Sequence, residues 1–137
     1  MGVMKRPKTE VSDQDLKKVI ADFLDMGHVE NIVAMFRREP QYYEWTGELL
    51  RDERFSVRLG LSVLFEELVE IQPDKLPLAI PSLVEVLNSE ESLFRGEAVS
   101  LLGIIGTGAA LSHVRKLLND DSPQVREMVE LVLEEES

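Results

Sequence analysis

Leu117-Leu118-Asn119-Asp120-Asp121-Ser122-Pro123-Gln124-Val125-Arg126-Glu127-Met128-Val129-Glu130-Leu131-Val132-Leu133 is the stretch on which the fold turns. Two leucines close one amphipathic segment and a polar turn follows. Asp120, Asp121 and Ser122 are residue types that cap a helix start, and Pro123 stands where a first-turn proline is tolerated. Past Arg126, the residues Val129, Val132 and Leu133 fall three, six and seven positions on, which is the spacing of one helix face. The stretch predicts a helix, a tight turn and a second helix.

The same pattern stands twice upstream. With Arg58, Arg95 and Arg126 as anchors, the preceding residues are Val57, Phe94 and Val125. Five positions before the anchors are Glu53, Glu90 and Asp121; eight before are Leu50, Leu87 and Leu118, and nine before are Leu49, Val86 and Leu117. Three positions after come Leu61, Ala98 and Val129, six after come Leu64, Leu101 and Val132, and seven after come Phe65, Leu102 and Leu133. The anchors lie 37 and then 31 residues apart, the difference falling in the longer connection around Val69 to Leu76. Agreement across a helix–turn–helix boundary in three copies marks a repeat, in which each helical pair buries its apolar face only by stacking on its neighbours.

The rest of the chain is helical in its periodicity too. Ser12 caps a segment carrying Leu16, Val19, Ile20, Phe23 and Leu24 that Gly27 ends, and a second runs from Val29 until Pro40 stops it. Further helices are predicted over 41–50, 54–71, 78–88, 92–105, 109–119 and 123–135, with no period-two alternation of useful length. The fold class read from this is all-α, with about eight helices in a single domain over 12–137. Residues 12–40 are expected to form a degenerate N-terminal cap, and 1–11 a loose tail without the apolar run of a signal peptide.

The sequence around the repeats resembles a known family. Gly96-Glu97-Ala98-Val99-Ser100-Leu101-Leu102-Gly103-Ile104-Ile105-Gly106 looks like the first helix and turn of a HEAT-like repeat of the phycobilisome-lyase type, and Asp120 to Arg126 looks like that family's D-x-x-P-x-V-R junction. The resemblance is specific over about 80–135, weaker over 43–71, and departs from the pattern where Phe55 and Ser92 replace the junction proline. It implies an armadillo-like α-solenoid, a right-handed α-α superhelix, used for protein recognition, with no common chemistry. A chromophore-lyase-like accessory activity is the alternative that it leaves open.

Composition narrows the function further. The 137 residues are 44% hydrophobic and 30% charged, with no Cys and a formal net charge of −11. Such acidity argues against nucleic-acid binding, which draws its affinity from neutralised phosphates, and favours a partner with a basic segment. No run reaches the roughly 18 apolar residues of a membrane span, so the expected location is cytoplasmic. His28 and His113 form no ligand pattern, and His113 is expected to face solvent. The Gly103, Gly106 and Gly108 cluster lacks the Lys-Ser/Thr of a phosphate loop and reads as a helix cap and turn. With no nucleophile in a recognisable setting, catalytic residues, metal ligands and cofactors are all expected to be absent.

Recurrence makes Arg58, Arg95 and Arg126, with Glu53, Glu90 and Asp121, a structural ladder at the junctions rather than a site. The candidate interaction surface comprises Tyr42 and Trp45, from the chain's densest aromatic run, and the exposed positions Glu48, Glu85, Arg115 and Lys116 on the second helices. Self-association through the solenoid ends is a further expectation.

Overall fold

The computed structural model describes residues 12–135, so the tail expected over 1–11 lies outside them. Among the described residues there are eight α-helices and no strand. They are α1 (Asp13–Asp25), α2 (Val29–Arg38), α3 (Thr46–Leu50), α4 (Phe55–Ile71), α5 (Ile80–Val86), α6 (Ser92–Ile105), α7 (Gly108–Arg115) and α8 (Pro123–Glu135).

Local chemistry sets several of the boundaries. The Ser12 hydroxyl accepts from the Asp15 amide at 3.1 Å and starts α1, and the Thr107 hydroxyl does the same for α7 through Ala110 at 3.2 Å. Gly27 and Gly106 end their helices at φ 83° and 69°, a backbone region that costs glycine nothing. Two expected helices begin differently from their reading. The chain enters α3 through the 3₁₀ segment Pro40–Trp45, and α5 through a second one, Pro73–Ala79. Each segment opens on a proline, and Pro77 removes a further amide from the second, which keeps those turns from the i→i−4 ladder. α7 stops at Arg115 rather than Asn119, because Lys116, Leu117 and Leu118 donate three residues back, to His113, Val114 and Arg115.

Two rows of helices result. In the first row α1 packs on α4, α4 on α6, and α6 on α8. Across from it, α2 packs on the 3₁₀ segment before α3, that segment packs on the one before α5, and α3 packs on α5, while α7 lies on α6 and α8. The core runs continuously between the rows. Leu61, Ala98 and Val129, three residues after the anchors, are each 0% exposed, and Leu64, Leu101 and Val132 are buried as well. The pattern relaxes only at the far end, where Leu118 is 45% exposed although its equivalents Leu50 and Leu87 are buried.

The faces that successive units turn to one another differ in one informative way. α6 presents Gly96 and Gly103 to Val125 and Val132 of α8, with buried Val99 between them. At the same three offsets α8 carries Glu127, Glu130 and Glu134, all exposed. The unit interface of α6 is small and apolar; the equivalent surface of α8 is a row of carboxylates.

Candidate interaction face and junction ladder

Each anchor arginine does the same local job. Nη1 of Arg58 donates to the main-chain carbonyl of Asp52 at 2.9 Å, Nη1 of Arg95 to that of Ser89 at 2.9 Å, and Nη1 of Arg126 to that of Asp120 at 2.6 Å. All three carbonyls lie six residues before their arginine, in the turn that precedes its helix. These turns leave carbonyls without helical partners, and the guanidinium reaches back to satisfy one of them.

The other side of the Arg58 and Arg95 guanidinium groups reaches the next unit. Arg58, 7% exposed, places Nε 2.6 Å from Oε1 of Glu97 on α6, and its head lies 5.8 Å from the ring centres of both Phe55 and Phe94. Arg95 grips Asp120 through Nε to Oδ1 at 3.0 Å and Nη2 to Oδ2 at 2.9 Å, with a further 3.0 Å contact to Asp121. Hydrogen bonding from Arg95 holds the Asp120 carboxyl below its ordinary range, and Asp120 in turn pushes the Arg95 guanidinium up. Among the described residues Arg126 has no such carboxylate ahead of it.

The acids expected to share the ladder are arranged differently. Glu53 contributes its main-chain carbonyl, at 3.1 Å from Arg58, and Glu90 is exposed with no ion pair among the described residues. Asp121 serves the arginine of the preceding unit rather than its own. Glu97 and Asp120 are the principal partners, and neither stands five residues before an anchor. A second clamp, which no repeat column marks, is formed by Arg54: it joins Asp52 to Asp22 and Asp25 of α1, with Ser56 donating to Asp25 as well.

Tyr42 and Trp45 are half-buried, their ring centres 5.1 Å apart. Lys17 of α1 lies over the Trp45 ring at 5.0 Å and pairs with Glu48 at 2.8 Å. Tyr43 between them is fully buried, edge-on to Phe36 and Phe65, and its hydroxyl accepts from Gln72 Nε2 at 2.6 Å. This aromatic run packs on Phe36 of α2, with Lys17 of α1 over Trp45, and joins the first helices to the repeats.

Glu48, Glu85 and Lys116 all stand ten residues before their anchors and all are exposed, so they form one row along the second helices, with exposed Arg115 beside its basic end. Around the acidic end lies an open groove lined by Glu44, Pro77, Leu78, Pro81, Ser82 and Glu85, continuing past Gly47 and Arg51. Arg51 Nη2 donates to the Glu85 carbonyl at 3.4 Å. Among the described residues the Glu44 and Glu85 carboxylates have no ion pair, and Leu78 is 42% exposed on the groove wall. This arrangement offers two negative charges beside apolar surface.

Two helices per unit, a turn arginine repeated in register and a core column shared by every unit define the architecture. The family model for HEAT repeats matches residues 44–134. The chain belongs to the HEAT-repeat family. Its fold is accordingly an all-helical solenoid, with the matched repeats running from the 3₁₀ segment before α3 into α8. No curated protein and no solved structure matches the chain. Members of the HEAT family are commonly scaffolds for protein interaction. The repeats here carry no convergent group of three metal-ligating side chains among the described residues, and no helix long and apolar enough to cross a membrane. His113 departs from its expected solvent-facing position: it stands between buried Ala110 and Val114 on α7, is half-buried, and keeps Nδ1 sealed without a hydrogen-bond partner among the described residues.

Proposed function

We propose that this HEAT-repeat protein is a non-catalytic adaptor that binds a basic segment of another protein along the face formed by α3, α5 and α7. The groove in which Glu44 and Glu85 flank exposed Leu78 carries the reading, because it pairs unneutralised charge with apolar surface. A bound segment with a Lys or Arg next to an apolar residue would meet both, and the formal charge of −11 would steer it in. Lys116 and Arg115 at the far end of the row give the face a direction, so an acidic residue placed downstream in the segment would set its register. The groove lies open between the 3₁₀ segment before α3 and the start of α5, so a segment that is already extended would lose little on entering it. The cytoplasm, where a chain without cysteine needs no disulfides, is the location we assign.

The test is a quantitative pull-down from lysate of the native host with the full chain and with a Glu44→Lys/Glu85→Lys variant. Both positions are exposed, so the variant should melt as the wild type does. The reading requires one or more partners to be lost from the variant and to dissociate as salt is raised. An identical partner set on both baits at matched salt would overturn it.

A further inference from the structure

The opposite row of helices carries a second surface that the proposed adaptor face does not use. Two depressions run along the outer seam between α6 and α8 and share Met128. One is walled by Leu93, Gly96, Glu97 and Gln124. The other is walled by Ser100, Gly103, Ile104 and Leu131, with Ser62 and Glu66 of α4 at its side and Glu135 at its end. Leu93 and Leu131 are 52% and 50% exposed, and on α4 the neighbouring positions Leu59 and Val63 are 51% and 38% exposed. Every charged side chain lining the seam is acidic: Glu66, Glu97 and Glu135.

We infer that this seam is a docking groove for an amphipathic helix whose apolar ridge is bordered by Lys or Arg. Three observations fix that occupant. α6 and α8 run side by side in the same direction, Gly96 meeting Val125 and Gly103 meeting Val132, so a ridge of side chains from a third helix fits between them. Both walls are helices whose own backbone hydrogen bonds are made, which leaves little for an extended strand to bond; a helix arrives with its backbone already satisfied. Glu97 is held by Arg58, but Glu66 and Glu135 have no ion pair among the described residues; these two select basic flanks and repel a second copy of this chain, whose own seam bears the same carboxylates. Gly96 holds the groove open: a Cβ there would meet only Val125 Cγ2, at 4.0 Å.

The surface lies on the other row of helices from Glu44 and Glu85, so this inference and the proposed adaptor face stand or fall separately. The probes are two helical peptides of about 18 residues with the same leucine ridge, one bordered by Lys and one by Glu, titrated against the full chain by fluorescence anisotropy. The Lys-bordered peptide should saturate, and the Glu-bordered one should bind at least about tenfold more weakly. Gly96→Leu, which fills the groove, and Leu131→Ser, which removes its exposed wall, should each weaken the Lys-bordered peptide about tenfold without lowering the melting temperature, while Glu44→Lys/Glu85→Lys should change it by less than about twofold. Equal binding by Gly96→Leu and Leu131→Ser, equal binding of the two peptides, or loss only in the Glu44→Lys/Glu85→Lys variant would overturn the inference. So would a wild-type dimer in sedimentation that Leu131→Ser dissociates, since the seam would then belong to a second copy.

Discussion

Arg95 on α6 and Asp120 ahead of α8 are joined twice, Nε to Oδ1 at 3.0 Å and Nη2 to Oδ2 at 2.9 Å, with side chains only 12% and 11% exposed. Asp120 is at the same time part of the next turn. Its Oδ2 accepts from the Ser122 amide at 3.0 Å, and its main-chain carbonyl accepts from Arg126. One residue thus ties the arginine of its own unit to the arginine of the unit before it. Removing the Arg95 side chain leaves a low-exposure carboxylate and the Ser89 carbonyl short of a donor. Arg95→Ala should therefore cost about 1–3 kcal/mol in chemical unfolding. Arg95→Lys, with a point charge in place of a two-pronged donor, should recover only part of it. An unchanged denaturation midpoint for Arg95→Ala would show that the ladder contributes nothing.

Acid should act through the same pair. Hydrogen bonding from Arg95, and then from the Ser122 amide, holds the Asp120 carboxyl below its ordinary 3.8, against an opposing effect of burial. A depressed carboxyl stabilises the fold fully above the unfolded value and loses that contribution as pH falls through the folded one. Wild type should lose more stability than Asp120→Asn between about pH 5 and about pH 3, so their curves converge in acid. Parallel curves over that range would remove Asp120 from the account.

Two glycines should respond to alanine with opposite signs. A Cβ on Gly47 would stand 2.3 Å from the Ser82 carbonyl oxygen, so α3 and α5 would have to part; Gly47→Ala should cost about 1–3 kcal/mol. At Gly96 the nearest atom to a Cβ is 4.0 Å away, and Gly96→Ala should gain about 0.5–1 kcal/mol from helix propensity alone. Thermal melts of the two variants would decide it, and a loss at Gly96 would contradict the open seam.

Ala98, fully buried in the column it shares with Leu61 and Val129, has room for neither length nor charge. Ala98→Arg should cost more than about 4 kcal/mol and leave little folded chain, measured as lost helical signal at room temperature. Tyr43→Phe is the milder probe of the same core. It strands the Gln72 amide, now 2.6 Å from the phenol oxygen, and should cost about 1 kcal/mol.

Periodicity made the helices and the core columns legible, because burial within a unit follows from offsets within a unit. Leu61, Ala98 and Val129 could be placed on one face from spacing alone. The ladder was legible only on its arginine side. Its carboxylates, Glu97 and Asp120, belong to the following unit, and the offset to them is set by how units stack rather than by any spacing in the chain. That offset also changes from rung to rung: Glu97 comes from within α6, and Asp120 from the turn before α8. The acids at fixed register, Glu53 and Glu90, stood out in the sequence and do not pair through their side chains with the anchors. Proline explains the remaining difference. The 3₁₀ entries to α3 and α5 carry apolar residues at near-helical spacing, so periodicity alone cannot separate them from the helices they lead into.

The carboxylate row on α8 has a consequence for how such molecules behave when crowded. Head-to-tail addition of identical solenoids is an open-ended operation that closes on nothing, and it builds fibres. Where α6 offers Gly96, Val99 and Gly103 to a neighbouring helix, α8 carries Glu127 and Glu130 at the first two of those offsets, so an added copy would have to bury like charges at the joint. Between copies, a joint on α8 of the kind that α6 makes with α8 is therefore disfavoured.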